Sequence, residues 1–104
     1  TAEAAMTLPS LLLVLGVALG AVEAASARLA CADAARVGAR ALARGEPHGQ
    51  ARDLALSAAP AEAHVDLADD GDMVRVTVRT ELRLALTLPV EVEGSAAVPR
   101  EPGS

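Results

Sequence analysis

The sequence predicts an α+β fold in which one long N-terminal helix carries a small antiparallel sheet on its C-terminal half. A run of 19 uncharged, mostly apolar residues fills positions 4–22, and an alanine-rich segment continues it to residue 44. After residue 62, apolar and polar residues alternate, which is typical of strands with one buried face. We therefore expect a helix over about 3–44, a short second helix and a small sheet.

The apolar run is long enough to cross a membrane. At about 1.5 Å per residue, its 19 residues span roughly 28 Å, close to the bilayer hydrocarbon thickness of about 30 Å. Glu3 and Glu23 flank the run, and no basic residue precedes it, unlike the basic start of a secretory signal peptide. A chain of 104 residues is too short to cover this surface itself. Lipid or other copies of the chain must cover it.

The second half of the long helix is less apolar and carries a basic stripe. Arg36, Arg40 and Arg44 recur every four residues near its C-terminal end, where cations stabilise the helix dipole. Residues 45–47, Gly-Glu-Pro, are a helix stop signal. We expect Pro9 to be one position at which this helix could bend.

The rest of the chain predicts a short helix over 48–59 and a meander of three or four strands. The turn at 69–72, Asp-Asp-Gly-Asp, is a strong hairpin signal. Pro89 is expected to interrupt the sheet and Gly94 to form a bulge. The positions expected on the apolar face, which the long helix should cover, are Ala63, Val65, Leu67, Val74, Val76, Val78, Leu82, Leu84, Leu86, Leu88, Val90, Val92, Ala96 and Val98.

Charge divides the chain in the same way. Residues 1–50 have no net charge, whereas residues 51–104 carry the whole net charge of −5. We expect a long helix over 1–45, whose part 4–22 lies in a membrane or filament core. An acidic α/β head should follow over 46–98, with a flexible tail over 99–104.

The composition argues against an enzyme and against a nucleic-acid-binding protein. There are no aromatic residues on which bases could stack, and the net charge repels phosphate. His48 and His64 have no further ligand at metal-site spacing. The acids of 69–72 lack the downstream glutamate of a calcium loop, so a solvated turn is expected. We therefore predict no catalytic residue, no cofactor and no metal site.

Several segments of the first 46 residues resemble the TadE-like family of type IV pilins and pseudopilins, in its actinobacterial form. They are TAEAA at 1–5, LP at 8–9, CADAAR at 31–36, AR at 39–40 and RGE at 44–46. The resemblance implies a pilin-like fold and a subunit of a Tad (Flp-type) pilus. Such subunits are cut from a short basic leader by a prepilin peptidase and held in the cell membrane by one helix, with the C-terminal domain outside. An assembly ATPase then polymerises them with other pilins into an extracellular filament for adhesion.

Three residues are candidate subunit contacts. In pilins a glutamate pairs with the N-terminal amine of a neighbouring subunit, and the resemblance implies this role for Glu3. Pilins usually have that glutamate as the fifth residue after the cut, whereas Glu3 is third here; the alternative is a helix-end carboxylate stabilised by the dipole. Gly16 and Gly20 form a Gly-x-x-x-Gly pattern that allows close helix packing, although small residues are frequent throughout this chain.

Cys31 is expected to be a small buried hydrophobe, with lipidation or intermolecular bridging as the alternative.

Two functions remain open. The first is a structural subunit, a pilin or minor pilin, that polymerises through its apolar helix. The second is a single-pass membrane protein whose acidic extracellular domain binds a partner. The helical pattern continues for about 21 residues of mostly small side chains beyond Glu23, more than an anchor requires. This continuation favours lateral packing between subunits.

Overall fold

A computed structural model describes residues 2–84 and 88–101 of the chain. The molecule is elongated, with principal extents of 73 × 20 × 17 Å. The three strands form one antiparallel sheet, in which each strand pairs with the next along the chain. The predicted α+β arrangement, with a long helix, a short helix and a small antiparallel sheet, is confirmed. Its elements are α1 (Ala2–Ala43), α2 (His48–Ala58), β1 (His64–Asp69), β2 (Met73–Leu84) and β3 (Leu88–Pro99).

Helix α1 ends at the predicted stop signal through a Schellman motif. Gly45 has a φ of 87°, in the left-handed region that glycine adopts without a steric penalty. Its N–H donates to the carbonyl of Leu42 at 2.9 Å, and the N–H of Glu46 donates to the carbonyl of Ala41 at 3.1 Å. These two bonds satisfy carbonyls at the helix end, so α1 stops sharply where α2 must begin its return.

The C-terminal half of α1 lies at the centre of the hydrophobic core. The sheet covers it with Val74, Val76 and Val78 of β2, all fully buried. Alanines of α2 pack against the same core. Because most buried side chains of α1 are small, both α2 and the sheet approach its backbone closely. The buried residues of α1 are Cys31, Ala34, Ala35, Gly38, Ala39, Ala41, Leu42 and Ala43.

The strand register aligns the small and apolar residues of β2 and β3 on the helix-facing side. Val76 pairs with Ala96 and Val78 with Gly94. Since side chains alternate across a strand, Val74, Val76 and Val78 of β2 and Val92 of β3 lie on this side, and all four are buried. The predicted face is therefore confirmed for these valines, whereas Leu88, also expected on it, is 59% exposed because it lies beside the uncovered part of α1.

The predicted bulge at Gly94 is wrong. Pairing with β2 continues without interruption through Val78 and Gly94. A Cβ atom placed on Gly94 would lie 2.6 Å from the Cα of Ala32 and 2.8 Å from the carbonyl carbon of Cys31. A strand glycine indicates either a bulge or a close backbone approach, and here it is the approach to α1.

Two expectations about the end of the chain also differ from the structure. Pro89 does not interrupt the sheet but lies within β3, an edge strand that accommodates a residue without an N–H. The predicted tail begins too early, because β3 runs to Pro99 and the next two residues form backbone hydrogen bonds to other parts of the fold. The N–H of Arg100 donates to Asp72 at 2.9 Å, and that of Glu101 donates to Ala43 at 3.1 Å. Predictions for Leu86 and for 102–104 fall outside the described residues.

Candidate subunit and membrane interface

The N-terminal part of α1 projects from the head with its apolar side chains uncovered. Each large apolar residue between positions 6 and 29 is more than half exposed, on every side of the helix. A soluble monomer rarely leaves such a continuous apolar surface in water, because each buried methylene gains about 0.8 kcal/mol. The surface is therefore the first candidate site of this protein. It consists of Met6, Leu8, Leu11, Leu12, Leu13, Val14, Leu15, Val17, Leu19, Val22 and Leu29.

Helix α1 is long and apolar enough to cross a membrane. Its most apolar window of 18 residues has a mean hydropathy of 2.2, and none of that window is buried. Signal sequences and the core helices of soluble proteins can have the same length and apolarity. The membrane location therefore belongs to the functional proposal below.

The hydroxyl groups within the apolar segment are satisfied by the helix itself. The Thr7 hydroxyl donates to the carbonyl of Glu3 at 2.7 Å, and the Ser10 hydroxyl donates to the carbonyl of Met6 at 2.9 Å. The helix is continuous through Pro9, which lies between them. Such back-bonding lets hydroxyls enter hydrocarbon without an unpaired donor. The segment is thus suited to a lipid environment or to a dry interface between helices.

The structure separates Glu3 from the two candidate glycines. Glu3 lies exposed in the first turn of α1, where its carboxylate is near the positive end of the helix dipole. Gly16 and Gly20 lie about four turns further along, so the three do not form one site. A Cβ at Gly16 would have nothing within 4 Å, which shows that the helix surface there is open.

Both glycines line an apolar groove that the sequence pattern did not predict. Leu88, the first residue of β3, lies beside the middle of the apolar segment of α1. The groove between them encloses about 730 Å³. A sequence feature that could have indicated the groove is the alternation of leucines at positions 82, 84, 86 and 88. This alternation continues beyond the strand residues that pack on the core. The lining residues are Leu12, Leu13, Gly16, Val17, Leu19, Gly20, Ala21, Glu23, Ala24 and Leu88.

Cys31 is buried in the core, as expected. Its Sγ lies 4.0 Å from the carbonyl oxygen of Val92, and the residue has no exposed surface. Burial raises the pKa of the Cys31 thiol, because the thiolate loses its hydration. A raised pKa lowers the fraction of thiolate, which is the reactive form. In the folded protein this cysteine is therefore a packing residue rather than a reactive one.

The acidic turn uses its carboxylates locally. Asp69 accepts a hydrogen bond from the N–H of Gly71 at 2.9 Å, and Asp70 accepts one from the N–H of Met73 at 2.8 Å. Asp69 also forms an ion pair with Arg100. His48 approaches the same carboxylate, with 4.0 Å between Nε2 and Oδ2. The expected turn is confirmed, and its acids hold the end of the sheet together.

The sequence is similar, almost from end to end, to a protein of Mycobacterium tuberculosis (strain ATCC 25618 / H37Rv). The two are 41% identical over 102 residues, which cover 98% of this chain and 79% of the relative. That protein is named Apoptosis inhibitor Rv3655c. No protein-family model matches the chain, and no solved structure matches it.

Proposed function

The chain belongs to the family of Rv3655c, and we propose that it is a structural subunit, a pilin or minor pilin, of a Tad/Flp-type pilus. One observation carries this proposal: α1 is a single helix with two different surfaces. From Cys31 to Ala43 it forms the core of the head, whereas its N-terminal part exposes apolar side chains on every side. A surface of that kind needs a cover along its whole length.

Two covers suit the surface at different stages. In the membrane, lipid chains solvate the apolar segment, and its backbone polar groups are paired within the helix. In a filament, other copies of α1 replace the lipid. Covering this surface is favourable by roughly 25 cal/mol per Å² of apolar area removed from water. The same helix thus supports both a stored membrane form and an assembled form.

The continuity of α1 supports a subunit rather than a simple anchor. An anchor requires only the spanning residues followed by a linker. Here the helix continues for 21 residues beyond Val22 and ends inside the head core. The head is therefore rigidly coupled to the apolar segment. Such coupling would transmit the packing of the apolar helices to the spacing of the heads.

The proposed location rests on the apolar helix together with the resemblance to TadE-like pilins. We place the unassembled subunit in the cell membrane as a single-pass protein with its C-terminal head outside, and the assembled subunit in an extracellular filament that mediates adhesion. Its partners are copies of itself or other pilins, and the resemblance to TadE-like proteins adds a prepilin peptidase and an assembly ATPase. The excess of 14 acids over nine arginines disfavours nucleic acid as a partner.

Filament purification tests the proposal. Surface filaments are sheared from cells that express the chain with its assembly machinery, imaged by electron microscopy and analysed by mass spectrometry. We expect the chain within the filaments, as a dominant component for a major pilin or a trace component for a minor one. Recovery of the chain only as a detergent-soluble membrane monomer, while filaments form without it, would contradict the proposal.

A membrane-anchored binding protein is the second candidate, and the name of the relative is the observation that favours it. A protein 41% identical to this chain is named an apoptosis inhibitor, which suggests that the acidic head binds a partner. The two functions separate in a variant that inserts but does not assemble. If that variant still suppresses apoptosis in host cells, the effect belongs to the anchored head rather than to a pilus.

A further inference from the structure

The groove between α1 and Leu88 of β3 has one ionisable residue in an otherwise apolar or glycine lining. That residue is Glu23, and Leu88 lies across the groove from the helix. Within 2–84 and 88–101, Glu23 forms no ion pair. An occupant that fills the groove displaces water from this carboxylate. An occupant that offers apolar surface together with one cation matches this lining best, because the cation compensates the carboxylate for its lost water.

Arg28 of the same chain does not supply that cation. Residues five apart lie about 140° apart around a helix, so Glu23 and Arg28 point to different sides of α1. Arg28 is exposed and has no ion-pair partner in the described part of the chain. Within the described residues, each copy thus carries an unpaired carboxylate and an unpaired guanidinium about one and a half turns apart, both exposed on α1.

We propose that the groove binds the α1 helix of a second copy of this chain, and that Glu23 pairs with Arg28 of that second copy. The inference rests on the proposed function and specifies the contact through which the subunits pack. The second α1 meets both requirements of the groove. Positions 2–27 contain no basic side chain, so Arg28 is the first that follows its apolar segment.

Pairing of Glu23 with Arg28 fixes the axial offset between two parallel helices. The second helix is displaced by five residues, about 7.5 Å, toward the N-terminus of the first. At this offset Leu29 of the second copy lies level with Ala24, beside Leu88. Leu29 is 69% exposed and Leu88 is 59% exposed, so both gain a cover that the free subunit lacks.

The contact is heterologous, and this makes it suitable for polymerisation. One copy offers its groove and Glu23, whereas the next offers a helix and Arg28. After one pair has formed, the first copy still has a free helix face and the second copy still has a free groove. The contact can therefore repeat without closing on itself, unlike the symmetric contact of a dimer. The charge pair also opposes any register that leaves the carboxylate of Glu23 dry and unpaired.

Charge exchange in the full-length chain tests the pairing. Glu23→Arg, Arg28→Glu and the double exchange are expressed with the assembly machinery, and filament yield is compared with the amount of membrane-inserted subunit. We expect each single variant to lose filaments by about tenfold or more, because it places two like charges together, and the double variant to recover most of the yield. Asp33→Asn, which removes an exposed charge of α1 outside the groove, is the matched control and should assemble normally.

A disulfide ladder tests the offset without filaments. In a Cys31→Ala background, Leu19→Cys and Ala24→Cys are combined in the full-length chain and reconstituted in phosphatidylcholine vesicles at a high ratio of protein to lipid, so that copies of α1 outcompete lipid for the groove. The five-residue offset aligns position 19 of one copy with position 24 of the next. The two positions are about 8.7 Å apart within one helix, too far for an internal disulfide. Mild oxidation should give trimers and longer ladders from the double variant, and no species beyond dimers from either single variant.

The outcomes separate this inference from the proposed function. Wild-type filaments together with normal filaments from both single charge variants would overturn the groove contact and leave the pilus proposal standing. Failure of the double exchange to recover assembly would overturn the Glu23–Arg28 pair. A wild-type chain that forms no filaments contradicts the pilus proposal, yet the ladder still tests the contact. Absence of a ladder, as expected if only lipid fills the groove, overturns it.

Discussion

Gly94 of β3 lies directly against the backbone of Ala32 in α1. A Cβ at position 94 would come within 2.6 Å of the Ala32 Cα, closer than non-bonded carbon atoms pack. The strand and the helix therefore touch backbone to backbone at this point. The contact lies next to Cys31, where the buried half of α1 begins. It sets how closely the hairpin can follow the helix toward the apolar segment.

Gly94→Ala should destabilise the head. The added methyl group meets backbone atoms that cannot rotate away, so strand and helix must separate, and we expect a loss of about 1–3 kcal/mol in the free energy of unfolding. Denaturant unfolding of the full-length protein in detergent, followed by circular dichroism, measures it. Gly49→Ala is the control, since a Cβ there has nothing within 4 Å. Equal stability of the two variants would show that the helix–sheet contact is looser than described.

Gly20→Leu should block assembly without preventing membrane insertion. The leucine side chain fills the groove beside Leu88, and this should block packing of a second helix. Insertion should not suffer, because leucine makes the spanning segment more apolar. Filament yield and alkali-resistant membrane protein are measured together. Ala18→Leu adds the same side chain to α1 outside the groove and should assemble better than Gly20→Leu. Unchanged filaments from Gly20→Leu would show that this position is not a packing contact.

Glu3→Ala should lose filaments and retain the membrane-inserted monomer, if Glu3 pairs with the N-terminal amine of a neighbouring subunit. Removal of the carboxylate leaves that amine unpaired in an apolar surrounding, which is costly. Counting filaments by electron microscopy, with the membrane fraction quantified in parallel, measures the effect. Asp53→Ala removes an exposed acid from α2 and serves as the control. Normal piliation of Glu3→Ala would leave the helix-dipole role as the remaining explanation.

Cys31 should resist alkylation while the head is folded. Burial raises the pKa of its thiol, so at pH 8 the thiolate fraction is lower than that of a free cysteine. Mass spectrometry after iodoacetamide treatment should show slow labelling of the native protein and rapid labelling in denaturant. The raised pKa also makes the free energy of unfolding depend on pH. The contribution of the neutral thiol to stability is fully present below the ordinary thiol pKa of about 8.5 and is lost at higher pH. Rapid labelling without denaturant would indicate that the helix–sheet contact opens.

The head should not fold without the end of α1. A fragment of residues 46–104 lacks all eight buried residues that α1 contributes, so the apolar face of the sheet has no cover. A fragment of residues 29–104 retains them and is the matched comparison. We expect dispersed amide resonances from the longer fragment only. Dispersed resonances from the shorter one would show that α2 alone covers the sheet.

Periodicity was sufficient to predict the main elements and the buried face of β2. The apolar run and the alanine-rich continuation indicate one helix, and the glycine at position 45 marks its end within two residues of the observed Ala43. Alternation identifies Val74, Val76 and Val78 as core residues because a strand has only two faces. Patterns of this kind depend on near neighbours in the chain.

What could not be predicted depends on contacts between distant parts of the chain. Gly94 carries no local sign that it faces Ala32 rather than a bulge, because both need the same missing side chain. The groove forms because Leu88 of β3 lies beside α1. The alternation of a strand shows which residues share a face, but it does not show where along a helix that face packs. The sequence places Arg100 in a predicted flexible tail. Its ion pair with Asp69 forms only because the fold brings the turn beside it.

The hydrogen bond from Glu101 to Ala43 returns the chain to the far end of α1. The described part of the chain therefore starts and finishes at opposite poles of a rod, because α1 alone is about 63 Å long. A peptide epitope or fluorophore-accepting sequence inserted after Glu101 would be carried at the pole opposite the apolar segment. In the proposed filament such a label would lie on the exterior and leave the packed helices undisturbed, which makes this position suitable for following the protein in living cells.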